Sequence, residues 1–207
     1  MGEGELTEQD DPSRFHRVLG DAISALEGAA VPYVLFGSIA ASVYGKPEQS
    51  GDIDLLIERA GVRVALDALS DAGFDTQETD PTWLSKAFRD GVMVDLMTQL
   101  VGGLFLDDEM RSHARRMDLA GNAIAVVSPE DLLVIEAAAN SPENQAHWYV
   151  AIRILMRTPL DWKYLLERAR LAPRRVLSLL VYAQSEDIEV PEQAVRDLLE
   201  RVYYAPA

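Results

Sequence analysis

The sequence predicts an α/β fold of the α+β kind: a mixed sheet flanked by helices, followed by a helical C-terminal part. Three observations lead there. Short apolar runs, Val31 to Phe36, Asp52 to Ile57 and Val92 to Met97, have the length and the bounding turn residues of buried strands. Between them lie stretches with apolar residues at helical spacing. From Pro129 to the C-terminus only the helical spacing recurs.

Taken in order, residues 1–10 read as a flexible acidic tail. Asp11-Pro12 offers an N-cap and a first-turn proline to a helix whose Phe15, Val18, Leu19, Ala22 and Leu26 share one face, with Gly28 as terminator. The Val31–Phe36 strand runs into Gly37-Ser38 and a small-residue helix from Ile39 to Tyr44. After the Asp52–Ile57 strand, Val62, Ala65, Leu66 and Leu69 mark an amphipathic helix that stops near Gly73. Trp83 to Met97 reads as a hairpin turning at Asp90-Gly91. Residues 104–117 are expected to be helical, and Ala123 to Val127 to form a closing strand. Ser128-Pro129-Glu130-Asp131 is a capped helix start, which sets the expected boundary between a catalytic unit over 11–127 and a helical domain over 128–207. Helices are then expected over Trp148–Met156, Trp162–Leu171 and Arg174–Ala183, with a last one after Pro191.

The chemistry concentrates on three of these elements. A Gly-Ser pair after a strand lets backbone approach a ligand closely, and the helix that follows presents unpaired N–H groups to an anion, so Gly37 and Ser38 suit a phosphate. In Asp52-Ile53-Asp54-Leu55-Leu56-Ile57 the period of a strand puts both carboxylates on one face and Ile53, Leu55 and Ile57 on the other. Asp95 interrupts the third apolar strand, where an acid is costly unless something cationic meets it. Three ionised carboxylates brought together raise one another's pKa, and Mg²⁺, which prefers hard oxygen ligands, removes that penalty. Asp52, Asp54 and Asp95 are therefore the candidate metal-binding and catalytic residues.

With those residues in view, the stretch Gly37-Ser38-Ile39-Ala40-Ala41-Ser42-Val43-Tyr44-Gly45 followed by Asp52-Ile53-Asp54-Leu55-Leu56-Ile57 resembles the nucleotidyltransferases of the DNA polymerase beta superfamily. Within it the chain is most similar to the minimal bacterial enzymes that include the type IV abortive-infection (AbiEii-like) toxins, and Ser128-Pro129-Glu130-Asp131-Leu132-Leu133 resembles the segment that opens their helical part. The likeness spans roughly residues 15 to 155. It implies a nucleotidyltransferase-type fold and transfer of a nucleoside monophosphate from an NTP to a hydroxyl on a protein, a tRNA end or a small molecule. It implies two Mg²⁺ ions, or Mn²⁺ in their place, and a cognate antitoxin as partner if the toxin role also holds. Carried over by position, Gly37 and Ser38 cradle the triphosphate with Lys46 as a nearby cation. Asp52 and Asp54 bind both metals, and Asp95 completes one site and helps deprotonate the acceptor. The chain departs from its relatives where they carry a linker Arg, since it has Glu48, and where they carry a Lys and an Asp-x-x-Asp, since it has Glu136, Asn144 and His147. Those departures motivate an alternative: a catalytically degenerate member acting as a binding or regulatory subunit.

Composition bounds the partners. With 207 residues and 48% apolar content the chain can bury a sizeable core, and zero cysteines exclude disulfides and thiolate metal sites, as suits a reducing cytoplasm. The N-terminus lacks the apolar core of a signal peptide, and no apolar run approaches the ~20 residues of a bilayer span. A formal charge of −15 disfavours an extended nucleic acid, whose tight binding draws on several Lys or Arg contacts. The basic stretches Arg111–Arg116 and Arg168–Arg175 read as solvated helix faces. His16, His113 and His147 show no ligand spacing and are expected to be surface or packing residues. Lys86 and Arg89 are expected at solvated hairpin positions, and Trp148, Tyr149 and Trp162 in the core.

Overall fold

The structure is a computed structural model that describes residues 12–45, 51–119 and 121–204. The expected acidic tail, Lys46 and Glu48 lie outside the described residues. Helix α1 (Pro12–Gly28) precedes β1 (Tyr33–Leu35), the short α2 (Gly37–Val43), β2 (Asp52–Ile57) and α3 (Val62–Asp71). Strands β3 (Asp75–Asp80), β4 (Leu84–Arg89) and β5 (Val92–Met97) follow, then α4 (Asp108–His113), β6 (Arg115–Leu119) and β7 (Asn122–Val126). The remainder is helical: α5 (Pro129–Ala139), α6 (Ala146–Arg157), α7 (Trp162–Arg168), α8 (Pro173–Ser185) and α9 (Glu192–Tyr203).

The seven strands form one mixed sheet in the order β3-β4-β5-β2-β1-β7-β6. β2 runs parallel to β5 and antiparallel to β1, while β1 runs parallel to β7. The alternation read in β2 is realised: Ile53, Leu55 and Ile57 are fully buried, whereas Asp52 and Asp54 are partly accessible on the other face. Helices α1 and α3 pack on each other, α3 also against β3 and β4 and α1 against β5. The β4–β5 hairpin turns at Asp90-Gly91, both with positive φ (51° and 76°), the conformation that a two-residue turn between right-twisted strands requires.

Two expectations are corrected, and one strand is added that the sequence pattern did not mark. The 104–117 stretch is helical only over Asp108–His113, and Arg115–Leu119 forms an edge strand paired with β7. The polar Asp75–Asp80 segment is also a strand, the opposite edge of the sheet. Its side chains are mostly solvated, so it carries no apolar alternation to read. Tyr149 is 68% exposed rather than in the core, because it lies on the outer side of α6, opposite the buried Val150, Ala151 and Ile154.

Helix α5 lies at the centre of the helical part. Every residue from Pro129 to Ala138 is buried, and it packs against α2, α6, α7 and α8. Ser128 Oγ accepts from Asp131 N–H (3.1 Å) at its start, the predicted cap. Asp131 is bound to more than the cap. Tyr164 Oη donates to Asp131 Oδ2 (2.6 Å) and Arg168 Nε to Asp131 Oδ1 (2.6 Å). Arg168 Nη1 reaches on to Asp107 (2.7 Å) and Glu109 (3.0 Å). Arg168, read from sequence as a solvated cation, is 0% exposed, because it is the hub that ties α7 to α5 and to the start of α4.

Candidate active site

The register of the central strands assembles the acids. Asp54 and Asp95 are direct partners across the parallel β2–β5 pair, and Asp52, one pleat further along the same face of β2, is paired with Met93. On the next strand Lys86 is the antiparallel partner of Asp95, so its ammonium reaches the carboxylate: Nζ lies 2.8 Å from Oδ1. Lys86 and Arg89 are therefore not the solvated positions expected. Both side chains are mostly buried, and Arg89 pairs with Asp21 at 3.0 Å.

Gly37 follows β1 and sits beside β2, where Phe36 N–H donates to Asp54 O (3.0 Å). Its φ of +67° and the space around it both require glycine, since a Cβ there would overlap the Asp54 carboxylate. Ser38 Oγ is buried and, among the described residues, meets no hydrogen-bond partner in the protein. Burial, then the neighbouring Asp95, Asp52 and Glu136 charges, push the Asp54 carboxyl up to about 6, with Lys86 opposing weakly.

Of these groups Gly37, Ser38 and Asp54 line a cleft of about 660 Å³, whereas Asp52, Asp95 and Lys86 sit beside Asp54 on the sheet and are not among its lining residues. Phe36, Gly37, Ser38 and Asp54 form one wall, and Ile135, Glu136, His147 and Val150 of α5 and α6 form the facing one. Trp83, 41% exposed, and Met97 also line it. Glu136, only 5% exposed, accepts from His147 Nδ1 at 2.7 Å, and His147 Nε2 lies 3.1 Å from Asn144 Nδ2. His147, expected to be a surface or packing residue, is thus part of the cleft wall. Sequence reasoning marked Glu136, Asn144 and His147 only as departures from a pattern. The proximity of Glu136 and His147 to Asp54 depends on how the helices return over the sheet, and no local spacing encodes that.

The donor set around Asp54 consists of carboxylates, the hard oxygens that Mg²⁺ or Mn²⁺ takes, and its mutual repulsion is what a cation relieves. The set is not closed as it stands. Among the described residues no three His, Cys, Asp or Glu side chains form a ready ligand group, and one oxygen of Asp95 is taken by Lys86.

No curated protein matches the sequence. Among solved structures the chain is similar to the antibiotic-resistance factor ANT(2'')-Ia in solution, with a TM-score of 0.55 and 13% identity over 85% of this chain and 100% of that one. It is also similar to ANT(2'')-Ia in complex with adenylyl-2''-tobramycin (0.56, 15% identity, 78% and 98% covered). An antigenic nucleotidyltransferase-like protein from Paracoccidioides brasiliensis has a TM-score of 0.51 at 15% identity, with 89% and 97% covered. At these identities the likeness establishes a shared fold. The family described as uncharacterised nucleotidyltransferase matches residues 9–202, nearly the whole chain, so the protein belongs to that nucleotidyltransferase family.

Proposed function

We propose that the protein moves a nucleoside monophosphate from a nucleoside triphosphate to a hydroxyl acceptor in this cleft, and that the reaction depends on divalent cations held by Asp52, Asp54 and Asp95. The observation that carries the reading is Asp54, a largely buried carboxylate crowded by other acids, with backbone instead of a side chain pressed against it at Gly37. A protein keeps such a group ready for an external cation and for a phosphate that must come close to the chain. Mg²⁺, two ions, would supply Lewis acidity and screen the phosphate charge.

The chain's own residues account for the remaining requirements. Gly37 leaves room beside Asp54, and the buried Ser38 hydroxyl is a donor for a phosphate oxygen. Asp95, opposite Asp54, is assigned the acceptor's proton. The new bond joins the acceptor oxygen to the α-phosphorus, and the bond from that phosphorus to the bridging oxygen of pyrophosphate breaks. Lys46 is assigned to the phosphates on the resemblance alone. In this reading residues 11–127 supply the nucleotide side and residues 128–207 the acceptor side, through α5 and α6.

The acceptor is a small hydroxylated molecule or a protein hydroxyl. Several cations that a long phosphate backbone would need already face acids of the chain, Arg168 fully buried and the others at half-exposed surface pairs. Arg111 pairs with Glu58, Arg116 with Glu27, and Arg168 and Arg170 with Glu109. The test is incubation with each α-phosphate-labelled triphosphate, Mg²⁺ and cell extract. Label is expected on a small molecule or a protein, and to be absent with EDTA. Label on nucleic acid, with affinity falling with salt as when ~6 phosphates are neutralised, would overturn the acceptor assignment.

A further inference from the structure

Asp95 already has a cation. Lys86 lies directly opposite it on β4, with Nζ 2.8 Å from Oδ1 and 3.1 Å from Met93 Sδ. The Lys86 side chain is 21% exposed and that of Asp95 11%, so this pair is drier than a screened surface contact. Because Asp95 is the register partner of Asp54, the ammonium occupies the flank of the carboxylate pair whose oxygens a divalent cation would share. A metal ion arriving alone must compete with it at Oδ1 or make do with Oδ2, and in either case tolerate its charge nearby. A triphosphate changes that balance by bringing anionic oxygens to which a displaced ammonium can turn. Among the described residues the cleft lining contains no lysine or arginine, and Lys86, just behind that lining, is the cation whose charge is felt at Asp54. Its Cα is fixed inside a sheet paired on both sides, and only the flexible four-carbon stem needs to move.

We propose that Lys86 is an internal counter-ion that holds Asp95 against a free divalent cation and gives way when nucleotide arrives, so that metal and nucleotide bind as a coupled pair. The inference rests on the metal and triphosphate reading of the cleft given above. It makes Lys86 a determinant of binding order. Free metal binds weakly, nucleotide raises metal affinity, and metal raises nucleotide affinity by the same factor.

Calorimetric titration with Mn²⁺ alone, and with Mn²⁺ in the presence of ATP, tests this on the full chain and on Lys86→Gln and Lys86→Met. Lys86→Gln keeps a hydrogen-bond donor for Asp95 and so protects the fold if Lys86→Met does not. Circular dichroism checks both. Both variants are expected to bind Mn²⁺ alone about tenfold more tightly than the parent and to lose about the same factor from the coupling between Mn²⁺ and ATP. Asp54→Asn should abolish the tight site, which separates it from diffuse binding to an acidic surface. Mn²⁺ affinity that is unchanged or weaker in the Lys86 variants would overturn the counter-ion role and leave the metal reading standing. Failure of every form to bind Mn²⁺, with or without ATP, would overturn both.

Discussion

Two acidic clusters in this molecule are built from the same side chains and behave in opposite ways. Around Arg168, the carboxylates of Asp131, Asp107 and Glu109 converge on a guanidinium with no exposed surface. Burial alone would raise the Asp107 carboxyl, but the Arg168 guanidinium and the Met110 N–H outweigh it and hold it below the usual range. Around Asp54, burial and neighbouring acids act together, Lys86 sits on Asp95 and opposes them only weakly, and the Asp54 carboxyl rises to about 6. A cluster that carries its own cation is a structural clamp. A cluster short of one is unfinished without a ligand. Counting acids in the sequence cannot tell the two apart, and their counter-ions can.

The largest expected effect lies in the cleft and is catalytic. Asp54→Asn should lower label transfer from a triphosphate by ~10²–10³-fold, the scale of losing a principal electrostatic group, while thermal stability in metal-free buffer stays equal or rises. Loss of folding, or retained activity, would place Asp54 with the structural acids. The reciprocal experiment is Arg168→Leu, which leaves Asp131 and Asp107 buried without their cation and should cost ~3–5 kcal/mol, read as a large fall in melting temperature. A small shift there would mean that the clamp is dispensable.

The two clusters should also respond to acid with opposite signs. Asp54 binds its proton more tightly folded than unfolded, so below the unfolded value near 3.8 it costs nothing. Its contribution to stability is then lost as pH rises to about 6, a change on the order of 3 kcal/mol in metal-free protein. Asp107, held low by Arg168, stabilises the fold above its unfolded value, and that stability disappears as pH falls through the folded one. Denaturant melts of the parent and of Asp54→Asn over this range separate the terms, because the variant should lose the decline between pH 4 and 6 and keep the acid-side loss. The smallest effect is expected for Gly37→Ala. Its positive φ and the nearby Asp54 carboxylate predict a cost of ~1–2 kcal/mol in stability together with weaker nucleotide binding. Unchanged ATP affinity in that variant would remove Gly37 from the phosphate cradle.

Much of the sheet was legible because its central strands are short apolar runs bounded by turn residues, and the first half of β2 alternates. Ile53, Leu55 and Ile57 announce β2 as a strand and thereby put Asp52 and Asp54 together on its other face. The Asp90-Gly91 turn and the Ser128 cap were legible for a similar reason, since each is fixed by a few adjacent residues. The edges were not. Asp75–Asp80 and Arg115–Leu119 are polar strands whose existence depends on a neighbour to pair with. The same limit applies to the site. The two acids of β2 follow from local period, whereas the contact of Lys86 with Asp95 depends on hairpin register. The approach of Glu136 and His147 depends on packing across some eighty residues of chain. Arg168 was misread because nothing nearby in sequence distinguishes a buried arginine from its solvated neighbours.

Helix α5, buried from Pro129 to Ala138, has a consequence for how this enzyme can be dismantled. A helix without a watered side cannot be the edge of a separable module. A chain cut after Val127 would leave the sheet with an uncovered oily seat where α2 met α5, and would release a helix that has no soluble form of its own. The two halves are thus joined like the halves of a zipped seam and not like beads on a string. Limited proteolysis should find no viable nick near Ser128, and exchange of the C-terminal helices between relatives should succeed only when α5 travels with them.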